Sequence, residues 1–148
     1  MKKTTLVVAG LLCIVVFAAG SITQTSAATP QQESAIETSK LGVVWTSGDR
    51  DVALKMVFMY TLNAKSRNWF DEVRLVVWGP SAKLLSVDEE LQQEIAKMKD
   101  AGIELVACKA CADSYGVSDK LEQLGVEVKY MGVPLSNMLK QDWKVVTF

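Results

Sequence analysis

Five short apolar runs, each separated from the next by a helical stretch, occupy the chain from Leu41 to Phe148. Strands that are always separated by helices do not form hairpins. They pair in parallel, and the intervening helices cover the faces of the sheet. Leu41 to Trp45 is continuously apolar, as buried parallel strands are, and it ends in Thr46-Ser47-Gly48. Val73 to Trp78 ends in Gly79-Pro80-Ser81, Ile103 to Ala107 runs into Cys108, Val126 to Met131 precedes Gly132-Val133, and Trp143 to Phe148 forms the fifth strand. The pattern predicts an α/β fold, a three-layer α/β/α sandwich with a mainly parallel five-stranded sheet. It forms a single domain over residues 41–148, with no internal repeat to mark a second one.

The helices between these strands are of uneven character. From Asp49 to about Ser66 the apolar positions Val52, Leu54, Met56, Val57, Phe58, Met59, Tyr60 and Leu62 lie nearly all round the helix. Such a helix either faces a second partner or is covered by neighbours within the chain. Ser86-Val87-Asp88-Glu89 has the form of a capping box ahead of Leu91, Ile95 and Met98, and Gly102 supplies the stop. A helix from Cys111 to Leu124 is expected to break near Gly116 and end at Gly125, and Pro134 suits the first turn of a short helix reaching Lys140. Trp45, Trp69, Trp78 and Trp143 read as core or interface residues. Ligands of parallel sheets bind beyond the carboxyl ends of the strands. That rule singles out Thr46, Ser47, Gly48, Gly79, Ser81 and Gly132 as pocket-lining candidates, together with the loop from Cys108 to Ala112.

The N-terminus follows a different logic. Lys2 and Lys3 precede an apolar run from Leu6 to Ala19, and Ser26-Ala27-Ala28 supplies small residues ahead of Thr29. This is the three-part order of a secretory signal peptide over residues 1–28, cleaved near Ala27 or Ala28, with an exported mature protein expected. The run of about 14 residues is short of the roughly 20 that span a bilayer; an uncleaved anchor is the rival reading, through Gly20 to Ile22. Leu12 precedes Cys13 where a lipobox requires a small residue, so lipidation is not supported. Residues 29–40 are polar and aperiodic and read as a disordered spacer.

Composition removes whole classes of chemistry. The 148 residues contain no histidine, which excludes Ser-His-Asp and Cys-His catalysis and mixed Cys/His metal sites. With 16 Lys+Arg against 17 Asp+Glu there is no basic field for a phosphate backbone, so nucleic acid is not an expected partner. Loss of Lys2 and Lys3 with the signal segment leaves 14 basic residues against 17 acidic.

Reactive chemistry concentrates in Cys108-Lys109-Ala110-Cys111, which holds both cysteines of the mature chain. A thiol at the start of a helix faces unpaired backbone N–H groups, and Lys109 adds a positive charge, so thiolate formation is expected. Three alternatives stand beside nucleophilic chemistry: a small disulfide, half of a zinc site completed by a dimer, and an inert buried pair.

The run from Ala107 to Val117, with Cys108, Cys111-Ala112 and Gly116-Val117 after an apolar strand, resembles the cysteine loop of the DsrE/DsrF/TusD-like sulfur-relay family. Asp142 to Phe148 is similar to the closing strand of that family, and the glycine-containing loop after the first strand also fits. The resemblance implies a small α/β/α domain assembled as a trimer or hexamer, carrying sulfur as a cysteine persulfide between donor and acceptor proteins. It places the sulfur-accepting role on Cys108 and makes Cys111 an addition that resolves a persulfide or forms a disulfide. No cofactor or metal is implied, and contact with membrane is expected only through the signal segment. Three functions remain open at this point: a sulfur carrier rather than a turnover enzyme, a thiol-disulfide module suited to an oxidising compartment, and a non-catalytic oligomeric binding protein.

Overall fold

The computed structural model describes residues 38–148, so the expected signal peptide and most of the spacer, residues 1–37, lie outside the described residues. Five parallel strands form one sheet: β1 (Lys40–Trp45), β2 (Glu72–Val77), β3 (Glu104–Cys108), β4 (Glu127–Lys129) and β5 (Trp143–Thr147). Their spatial order is β4-β3-β2-β1-β5. Successive crossovers therefore move in one direction until β4, after which the chain returns to the far side of β1. Right-handed crossovers place the first three connections on one face and the last on the other. The sandwich and its parallel sheet are as the alternating pattern predicts.

Helices α1 (Arg50–Val52), a π-helical stretch Ala53–Phe58 and α2 (Met59–Ser66) follow β1; α3 (Pro80–Val87) and α4 (Glu89–Asp100) follow β2; α5 (Lys109–Tyr115) and α6 (Ser118–Gln123) follow β3. Their inward side chains pack on Val43, Trp45, Leu75, Val77, Leu105 and Ala107 to make the larger core. Helix α7 (Gly132–Lys140) connects β4 to β5 and packs Leu135 on a smaller cluster of Val44, Val76, Val106, Cys108 and Met131. Period-two alternation along each strand sorts these residues to opposite faces.

Several boundaries depart from the sequence reading for local reasons. The capping box is not used: Asp88, not Ser86, caps α4, accepting the Leu91 N–H at 3.0 Å, while Ser86 belongs to α3 and bonds the Lys83 carbonyl. Gly79-Pro80-Ser81 is not all loop, because Pro80 occupies the first turn of α3, where its missing N–H and fixed φ are suited. Only Gly79 stays outside, at φ +74° and ψ −133°, a conformation side chains disfavour. The next helix starts at Lys109 rather than Cys111 and breaks at Gly116, which is left-handed at φ 65°. Strand β4 is cut to three residues, and Gly132 is the first residue of α7 rather than a loop residue. The first helix buries Ala53, Val57, Phe58, Thr61 and Ala64, leaving its apolar surplus outside: Met56 is 48% and Met59 57% exposed.

Candidate functional site

Cys108 is the last residue of β3 and the residue that caps α5. Alternation along the strand sends Ala107 into the larger core and Cys108 to the α7 side, with Val106. There it is 4% exposed, packed among Val44, Val76, Val106 and Met131, with Trp78 and Leu135 at the edge of the cluster. Its thiol makes no capping hydrogen bond, so it is free for chemistry. Cys111, three residues on, lies on the same side of the helix and packs on the same cluster, less deeply buried. Both are free thiols, and both side chains belong to the same small apolar cluster on the α7 side of the sheet.

The electrostatics correct one expectation of the sequence. Burial pushes the Cys111 thiol above the ordinary cysteine value of 9.0, and the adjacent Cys108 pushes it further, while the Gly79 N–H pulls the other way. Desolvation of a thiolate outweighs the single backbone donor, so Cys111 keeps its proton where the sequence predicted thiolate. Lys109 does not supply the expected charge to the thiols either. Its ammonium holds both carboxylate oxygens of Asp113 at 2.8 and 2.7 Å, one helical turn on. The Lys109 and Ser118 hydrogen bonds keep the Asp113 carboxyl below the usual range, and Asp113 in turn raises Lys109.

The remaining candidates divide by distance from the thiols. Gly79 follows Trp78 and Gly132 follows Met131, and both of those side chains pack in the cluster with Cys108. A Cβ built on Gly79 or Gly132 meets no atom within 4 Å, so both leave open space beside the cluster. Ser81 is fully buried and does not line a pocket: its hydroxyl donates to the Trp45 carbonyl at 2.6 Å and accepts the Trp78 N–H at 3.0 Å, tying the ends of β1 and β2. Thr46, Ser47 and Gly48 follow β1, separated from β3 by β2. The Thr46 hydroxyl and the Thr46 and Ser47 N–H groups all bond the Phe148 carbonyl, Ser47 Oγ accepts the Asp49 N–H, and Gly48 lies against Pro80. These three anchor the chain end and are not brought to the thiols.

Three residues that the sequence reading did not single out for the site enclose it: Met131, Trp78 and Leu135. The parity of the strands was a signal for Trp78, which shares its face with Val76 and Val44. Met131 and Leu135 carried no comparable signal, since their position depends on where α7 crosses the sheet.

Comparison with known proteins agrees with this fold. A structure of a conserved protein of unknown function from Bacteroides thetaiotaomicron superposes with a TM-score of 0.71 at 38% identity, covering 74% of this chain and 94% of that one. The ychN protein from E. coli superposes with a TM-score of 0.61 at 18% identity, over 75% of this chain and all of that one, a likeness of fold. No curated protein matches the sequence. The model of the DsrE/DsrF-like family matches residues 39–148, which takes in every strand, both thiols and the enclosing helix α7. This chain belongs to the DsrE/DsrF-like family.

Proposed function

We propose that the protein is a sulfur carrier that holds sulfane sulfur as a persulfide on Cys108. Membership of the family supports a sulfur-relay or related role at the level of the family. The observation that carries the finer reading is the placement of Cys108, at the carboxyl end of β3, packed among apolar side chains with open space at Gly79 and Gly132 beside it. In loading, the Cys108 thiolate attacks the outer sulfur of a donor persulfide. A new S–S bond forms at Cys108, the donor S–S bond breaks, and the donor leaves as a thiolate. Apolar side chains surround the sulfur that carries the load, so little water reaches the persulfide. Export ahead of residue 29 belongs to the same proposal and rests on the N-terminal charge and hydropathy pattern.

Intact mass after incubation with glutathione persulfide tests the reading. Cys111→Ser gains the mass of one sulfur atom, and Cys108→Ser does not. Equal gain by both variants, or by neither, overturns it. A thiol-disulfide module is the second reading, favoured by the two free thiols packed on one cluster; it requires loss of redox turnover in both variants and no sulfur gain in Cys111→Ser.

A further inference from the structure

A carrier needs one thiol, yet this site has two free ones packed on a single cluster. We infer that Cys111 discharges the load: it attacks Sγ of persulfidated Cys108, closes a Cys108–Cys111 disulfide and expels the outer sulfur as hydrosulfide. The inference rests on the carrier reading above. Its geometry is independent of that reading, since the two thiols are three residues apart at the start of α5 and pack on one cluster.

The step balances within the site. The persulfide holds its negative charge on the outer sulfur, and the Cys111 S–H proton passes to that sulfur. The Cys111 sulfur bonds to Cys108 Sγ, the S–S bond of the persulfide breaks, and its electron pair leaves with the hydrosulfide. The two cysteine sulfurs together give up two electrons in becoming a disulfide, and the sulfane sulfur takes both in leaving as hydrosulfide. Burial holds Cys111 protonated above the ordinary range, so the proton the leaving group needs is present at neutral pH. The disulfide returns to two thiols at the expense of an external thiol reductant, a dithiol or two monothiols, which is itself oxidised to a disulfide. The product delivered is sulfide rather than protein-bound sulfane sulfur.

The experiment loads the full-length protein with one equivalent of glutathione persulfide, removes glutathione quickly, and follows free sulfide and intact mass together. The parent protein is expected to release one equivalent of sulfide and to end with the mass of two hydrogens lost, recovered on adding dithiothreitol. Cys111→Ser and Cys111→Ala are both expected to keep the added sulfur and release none. Glutathione disulfide serves as the control that closes the disulfide without sulfide. If the parent keeps the sulfur as long as Cys111→Ser does, discharge by Cys111 is wrong while the carrier reading stands. If neither Cys111 variant takes up sulfur, the carrier reading fails first and the inference falls with it.

Discussion

On one face of the sheet the helices α1 to α6 bury Leu75, Leu85, Leu91, Ile95 and Met98 completely; on the other, among the described residues, α7 alone covers the strands. The second face is itself divided. Under α7 it is apolar, with Val44, Val76, Val106 and Cys108. Toward the strand starts it is charged, with cross-strand pairs Lys40–Glu72 at 3.3 Å and Arg74–Glu104 at 2.7 Å. Arg74 also stacks on Trp143, its guanidinium 4.5 Å from the ring centroid. The difference teaches where cohesion and chemistry separate. The thick face contributes most of the buried apolar area, so the thin face can keep two thiols near the surface with little effect on the fold.

The largest expected effect falls on the thick face. Leu75→Ala removes a fully buried side chain from the middle of β2 and is expected to cost about 2–5 kcal/mol, seen as a lower urea midpoint at unchanged slope. Leu135→Ala, on the half-buried inner side of α7, is expected to cost less than about 2 kcal/mol by the same measurement. Equal losses at the two positions would break the contrast between the faces.

Gly79→Ala is expected to fall between these limits, at about 1–3 kcal/mol. There is room for the methyl group, so the cost comes from the backbone at φ +74° alone. The same change moves the N–H that pulls the Cys111 value down, and titration of the thiol by absorbance is expected to show it ionising at still higher pH. A Gly79→Ala protein with parent stability and an unmoved Cys111 titration would separate the β2 loop from the thiol site.

The smallest effect concerns pH. A thiol whose folded value is raised holds more protons when folded than when unfolded once the pH passes the ordinary value. Cys111 therefore contributes stability that is complete below about pH 9.0 and is lost as the pH climbs from there toward its raised value. Urea midpoints measured from pH 8 upward are expected to decline more steeply in the parent than in Cys111→Ser. Parallel declines would show that the thin face does not desolvate this thiol.

Much of the architecture was legible because buried parallel strands read as short apolar runs. The ends predicted for β1, β2 and β3 differ from those found by a single residue. Helix α3 was missed because Gly79-Pro80-Ser81 carries turn residues, and proline is as suited to a first helical turn as to a bend. The cysteine loop was legible from spacing and its place after the third run. The protonation of Cys111 and the pairing of Lys109 with Asp113 were not. Burial of the thiols involves Met131 and Leu135, twenty or more residues away along the chain, and the ion pair depends on the helix starting at Lys109 itself.

By itself the sequence determined the class of fold, the parallel sheet, the absence of histidine chemistry and the location of both thiols, since each follows from local periodicity or from residue identity. Tertiary structure set which strand faces meet, that the Ser81 and Thr46 hydroxyls bond the carbonyls of Trp45 and Phe148, and that the two thiols share one apolar cluster with Met131. The physical reason is that ionisation and access depend on what displaces water around a group, and in this fold that is a helix arriving from the far end of the crossover.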